Sequence, residues 1–169
     1  MTAQGLAAFV AFLSLSTVAT LFSVDLVGES YLRTLPIRVK WILAAKTAVA
    51  AAGYALSMLI VIAIAALAGR GETGALVAWA AAGLPPMTAG ALATGSVLFR
   101  RLRRGGGRTS PFLTPGGYLA AIGAGTLVVV GPLIAAAVAS AAFGVDRLAL
   151  HFLFGLVEFA IVAARALLR

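Results

Sequence analysis

Long stretches of this chain stay free of charge over more than the thickness of a bilayer. Residues 47–69 hold no Asp, Glu, Lys or Arg over 23 positions, and residues 73–99 hold none over 27. A helix needs about 20 apolar residues to cross the hydrocarbon core. Lipid offers no partner to a backbone N–H or C=O, so a spanning segment must be a helix or belong to a closed barrel. Barrel strands alternate apolar and polar residues over about 10 positions. These runs are continuous, rich in Ala and Leu, and far longer. Composition agrees: 62% of residues are hydrophobic and 11% charged, under half the roughly 25% charged of an ordinary soluble domain. The expected fold is all-α, a polytopic transmembrane helical bundle.

The charge pattern divides the chain into one transmembrane domain, 1–169, with about five spans: 5–24, 41–68, 75–99, 117–143 and 148–168. Between them lie a mixed segment, 25–40, a tight polar turn at 69–73, a basic loop at 100–115, and a turn at 144–147. Residues 1–5 carry no basic side chain. A cleaved signal peptide starts with one, so the first apolar run reads as a retained span. With the N-terminus outside, eleven of the 13 Lys and Arg residues fall on one side and two, Arg70 and Arg147, on the other. Short loops follow the positive-inside rule, which predicts an N-out, C-in chain in the cell membrane with segments 25–40 and 100–115 in the cytosol. An N-out start without a signal peptide suggests a preceding span that is lost or carried by another chain.

Several function classes drop out. The net charge of +8 could suggest nucleic acid, but the bases cluster between apolar runs and cover no face. The chain has no cysteine and one histidine, so neither a thiolate site nor a two-His metal site forms within it. No Gly-x4-Gly-Lys-Ser/Thr phosphate loop and no nucleophile elbow is present. No catalytic residue, metal or cofactor is expected, and the chain is not read as an enzyme.

The segment leading into the second span carries the most information. Pro36 separates a short amphipathic piece from that span, and proline suits a helix's first turn, where its missing N–H would be unpaired anyway. Val27, Tyr31, Leu32 and Leu35 share one face at helical spacing, and Glu29 and Arg33 stand four apart on the other, where they can pair. The pattern alone leaves two readings: a helix lying along the cytosolic membrane surface, or a plain interfacial connector.

Residues 32–46, Leu-Arg-Thr-Leu-Pro-Ile-Arg-Val-Lys-Trp-Ile-Leu-Ala-Ala-Lys, resemble the loop after the second span in permeases of the type-2 ATP-binding cassette (ABC) exporter family. Pro36, Ile37, Arg38, Ile42, Leu43 and Lys46 match that loop in order and spacing. The resemblance covers about 15 residues and is short and degenerate; Gly28 precedes the acid Glu29 here, where the family's glycine follows it. It implies a permease subunit of an ATP-driven exporter, with a coupling helix seated on a separate ABC ATP-binding subunit through Glu29, Leu32, Leu35, Pro36 and Arg38. It further implies a second permease copy or a companion permease half to close the path. The family plan has six spans with both ends inside. Without its first span it becomes five spans, N-out, with the coupling loop after the first remaining span, which is the plan read here.

Other features stay open between roles. Pro85-Pro86 removes two helical hydrogen bonds near the middle of the third span; it is either a hinge or broken helix lining a path, or a static kink. Gly131-Pro132 reads as a static kink. The basic run 100–108 anchors topology and attracts anionic membrane lipids. His151, Glu158 and Arg165 recur at seven-residue intervals on one stripe of the last span. Glu158 is near mid-bilayer, where an acid costs roughly 2.5–3.5 kcal/mol to insert; it is either part of a proton or cation relay or polar glue between helices. Small residues, Ala80, Ala81, Ala82, Gly83, Gly90, Ala91, Thr94 and Gly95 in the third span and Gly123 and Gly125 in the fourth, allow close helix approach. Two further functions are therefore carried beside the exporter: a non-transport scaffold or assembly subunit, and a proton-coupled transporter using Glu158.

Overall fold

The structure, a computed structural model, describes residues 2–27, 39–69, 71–104 and 115–167. Five helices account for nearly all of them: α1 Ala3–Val27, α2 Val39–Leu67, α3 Thr73–Arg104, α4 Pro115–Phe143 and α5 Arg147–Leu167. The protein is an all-α bundle, and no strand occurs among the described residues. Four helices contain stretches long and apolar enough to cross a membrane: Lys40–Leu67, Thr73–Leu98, Leu119–Phe143 and Arg147–Ala166. In α1 the segment Ala3–Ser14 is apolar, within a helix of 25 residues.

Capping explains the helix ends. Thr2 Oγ1 accepts from Gly5 N at 3.2 Å and opens α1. Asp146 Oδ1 accepts from Leu148 N at 3.1 Å and opens α5. Short polar side chains in these places satisfy N–H groups that have no helical acceptor. Beyond α2 and α4 the chain turns at Gly69 (φ 66°) and Gly144 (φ 67°), the left-handed conformation glycine adopts without a Cβ penalty. Gly144 N donates to Ser140 O at 2.9 Å, which closes the end of α4.

Two boundaries differ from the sequence reading. The basic loop expected at 100–115 begins later, because Arg100, Arg101, Arg103 and Arg104 belong to α3. Arginine is a good helix former, and cations suit the negative end of the helix dipole. The sequence reaches Gly105–Gly107 only afterwards. The mixed segment expected at 25–40 is shorter, since α1 runs through Asp25 to Val27 and α2 begins at Val39.

The helices pack around α3, which touches each of the other four. Over an 18-residue window of its spanning stretch 56% of residues are buried, against 22% over such a window in α2 and 11% in α4 and α5. The cause is its small-residue face: Ala82, Ala89, Gly90, Ala91, Thr94 and Gly95 are all buried. Apolar burial drives little between helices already in hydrocarbon, so close van der Waals contact of small residues holds them. At Gly123 of α4 the expected close approach is absent, because a Cβ there would meet nothing within 4 Å. The outer faces of the bundle are as apolar as its core: Leu56, Leu59, Ile60 and Ile64 of α2 are each more than half exposed. A contiguous apolar surface of this kind marks contact with lipid or protein.

Candidate functional site

The missing N–H groups of Pro85 and Pro86 leave the carbonyls of Ala81 and Ala82 without their helical donors, yet α3 continues through both prolines. Side chains gather there. Tyr54, 1% exposed, reaches from α2 and its hydroxyl donates to Ala80 O at 3.4 Å. The Thr88 hydroxyl donates to Leu84 O at 2.9 Å and to Pro85 O at 2.8 Å. Two glycines make room for neighbours. A Cβ on Gly83 would collide with the Tyr54 hydroxyl and stand 3.3 Å from Cζ. A Cβ on Gly155 of α5 would stand 2.6 Å from Pro86 Cδ and 3.3 Å from Pro86 N. Pro86 itself is buried and Pro85 half-buried.

Beside this crossing lies a cavity of about 50 Å³. All five helices line it: Gln4 and Phe12 from α1, Tyr54 from α2, Trp79 and Pro86 from α3, Thr126 from α4 and His151 from α5, among others. His151 is 5% exposed. Its ring lies 5.7 Å from that of Trp79, tilted by 39°, and meets the backbone of Pro132. Its Nδ1 is buried without a hydrogen-bond partner, as is Thr126 Oγ1. Buried polar atoms are normally paired, and each exception asks for an explanation.

Glu158 lies on the same stripe of α5, one step toward its C-terminus. It is half-buried, its Oε2 is without a partner, and a Cβ on Gly131 would stand 4.0 Å from Oε1. The stripe therefore faces α4 at Gly131-Pro132 through His151 and Glu158, while Arg165 is exposed. Glu158 does not line the cavity. The five residues implied for coupling, Glu29, Leu32, Leu35, Pro36 and Arg38, lie outside the described residues. Tyr54, Trp79, Thr126 and Gly155 were not singled out in the sequence. A lone Tyr and a lone Thr inside long apolar runs were the available signal, because a hydroxyl in a spanning helix does better against protein than against lipid.

No protein-family model matches the chain, and no curated protein or solved structure matches it.

Proposed function

We propose that this chain is a membrane-spanning permease subunit of an ATP-driven ABC exporter, in the cell membrane, N-out and C-in, with α1 as its first of five spans. The observation that carries the reading is the spacing from Pro36 to Lys46, which runs directly into α2. Ile42, Leu43 and Lys46 occupy the first turns of that helix. Leu43 is 3% exposed and belongs to the same buried cluster as Ala7 and Val10 of α1 and Leu98 of α3. A push on the segment before α2 would enter the bundle through this cluster. It would reach α3, which touches every other helix, and the proline pair within it. The chain would hydrolyse nothing: a separate ATP-binding subunit would supply the stroke, and a second permease copy or companion half would complete the path.

The test is co-purification. Co-expressed with a candidate ABC ATP-binding subunit from the same cell, the chain should hold that subunit through detergent extraction. Leu35→Asp and Pro36→Asp should each release it while the permease stays inserted. A complex that survives both substitutions unchanged would overturn the proposal.

A further inference from the structure

Glu158 takes no part in the coupling scheme, yet its surroundings are those of an unfinished contact. It is half-buried on α5, and its Oε2 is sealed without a hydrogen-bond partner. Its Oε1 is the atom that a side chain on Gly131 of α4 would meet first, 4.0 Å from the Cβ position. Gly131 is exposed and shares the outward face of α4 with Leu127, Ile134, Ala135 and Val138 at helical spacing. The missing side chain leaves a notch in that face beside Oε1. Gly131 is the central residue of the spanning stretch Leu119–Phe143, and Glu158 is within two residues of the centre of Arg147–Ala166. In lipid the notch is therefore at mid-bilayer.

An acid at this depth is costly unless it finds a partner. The bundle offers no cation here. α4 holds no Asp, Glu, Lys, Arg or His, and neither does Thr73–Leu98 of α3. Along α5, His151 and Arg165 are each seven residues away, and α2 carries Lys40 and Lys46 in its first turns. Lipid tails have no hydrogen-bonding group to give. A second copy of the chain has one. A protonated carboxyl group is self-complementary, since it donates through its O–H and accepts through its C=O. A two-fold axis along the membrane normal brings the same residue of two copies together at the same depth, whereas an unrelated helix would need a polar group at that one level. The face around the notch suits close contact. Leu127, Ile134 and Val138 are each more than half exposed, no charge stands among them, and exposed Gly131 and Ala135, four apart, let backbones approach.

We infer that this face is the contact between two copies of the chain, with α4 and α5 of each meeting across a two-fold axis and Glu158 hydrogen-bonded through Oε1 to the partner's Glu158. The inference needs the bundle to be in lipid. It does not rest on the exporter reading, which is served equally by a second copy or a companion half.

The experiment uses the full chain in liposomes, with donor or acceptor dye attached to Gly71→Cys copies, and follows energy transfer as lipid is added. Copies with Glu158 intact should associate. Glu158→Leu should weaken association about five- to thirtyfold, the range expected of one interhelical hydrogen bond. It removes an acid from the span, so it should insert at least as well. Glu158→Gln should keep the association, because an amide also donates and accepts. Glu158→Lys copies should pair with copies that keep Glu158 and not with one another, a pattern that only direct contact between the two residues produces. In the otherwise cysteine-free chain, Leu127→Cys and Ile134→Cys should form disulfide-linked dimers on oxidation in the membrane. Leu59→Cys and Ile64→Cys on the exposed face of α2 should not. Absence of energy transfer between copies that keep Glu158 would overturn the inference. So would undiminished association of Glu158→Leu, equal pairing of Glu158→Lys with both kinds of copy, or cross-links as strong on α2 as on α4.

Discussion

Gly155→Ala tests the helix crossing on which the bundle's geometry turns. The added Cβ would stand 2.6 Å from Pro86 Cδ, 3.2 Å from Cγ and 3.3 Å from N. These atoms belong to a ring fused to the backbone of a buried helix, so none can swing aside. Relief requires α5 to back away from α3 by about 1 Å, to reach the 3.5–4.0 Å at which carbon contacts are favourable. A gap of that size forfeits a quarter to a half of the dispersion energy of the contacts it opens, among them Trp79 against His151. Overpacking of this kind costs about 1–3 kcal/mol. Alanine recovers roughly 0.5–1 kcal/mol through its better helix propensity. The net expectation is a loss of about 1–2 kcal/mol, or roughly 5- to 30-fold in the unfolding equilibrium. Gly53→Ala is the internal control, because a Cβ there meets nothing within 4 Å; it should be neutral or slightly stabilising. SDS titration of the purified chain in mixed micelles, followed by tryptophan emission, measures both. If Gly155→Ala proves as stable as Gly53→Ala, α5 does not press on Pro86 and the packing described for α3 is wrong.

Three further outcomes are expected. Gly83→Ala should destabilise by about 1–3 kcal/mol, and Tyr54→Phe should rescue part of that loss by removing the hydroxyl that the new Cβ strikes; the double-mutant cycle should give a coupling of at least about 0.5 kcal/mol, and strict additivity would count against the contact. If the exporter proposal holds, Glu158→Gln should leave insertion and transport intact, and insertion should become easier by a fraction of the roughly 2.5–3.5 kcal/mol that a mid-span acid costs; loss of transport with insertion preserved would favour proton coupling through Glu158 over the exporter reading. Because the chain has no cysteine, single replacements report topology directly: Gly71→Cys and Val145→Cys should react with an impermeant maleimide from outside intact cells and Arg108→Cys only after lysis; the opposite pattern would reverse the orientation, and labelling of all three from one side would refute the span count.

The helices were legible because charge is so costly in hydrocarbon that its absence alone marks a span. The edges of α2, α4 and α5 fall within about two residues of those read from the charge pattern. Where charge and helix propensity disagree, the reading slipped: Arg100–Arg104 are hydrophilic and helical at once, and Asp25 does not end α1. The stripe of His151 and Glu158 was legible from spacing, since seven residues make nearly two helical turns. Arg165 shares that spacing but is exposed, because a stripe gives angular position and says nothing of where the neighbouring helix ends. The cavity was not legible. It exists only because one face from each of five helices meets there, and nothing in the periodicity of a uniformly apolar run states which face turns inward. The values for α4 show the difficulty, with Val129 half-buried and Val130 and Gly131 exposed in one unbroken apolar sequence.

The irregular positions of this bundle converge on α5. Its Gly155 receives Pro86 of α3, its His151 meets the backbone of Pro132 in α4, and its Glu158 lies over Gly131. Each proline weakens its own helix by removing a backbone bond, so each is a place where bending is cheap. A helix that touches both such places cannot stay put if either bends. A change of bend in α3 at Pro86 would disturb its contact with Gly155 and so shift α5, and with it His151 and Glu158 relative to Pro132 and Gly131. The two proline sites are therefore mechanically linked through α5 although they lie on different helices. The wall of the cavity, which includes both Pro86 and His151, is the part of the molecule whose shape that linkage would change most directly.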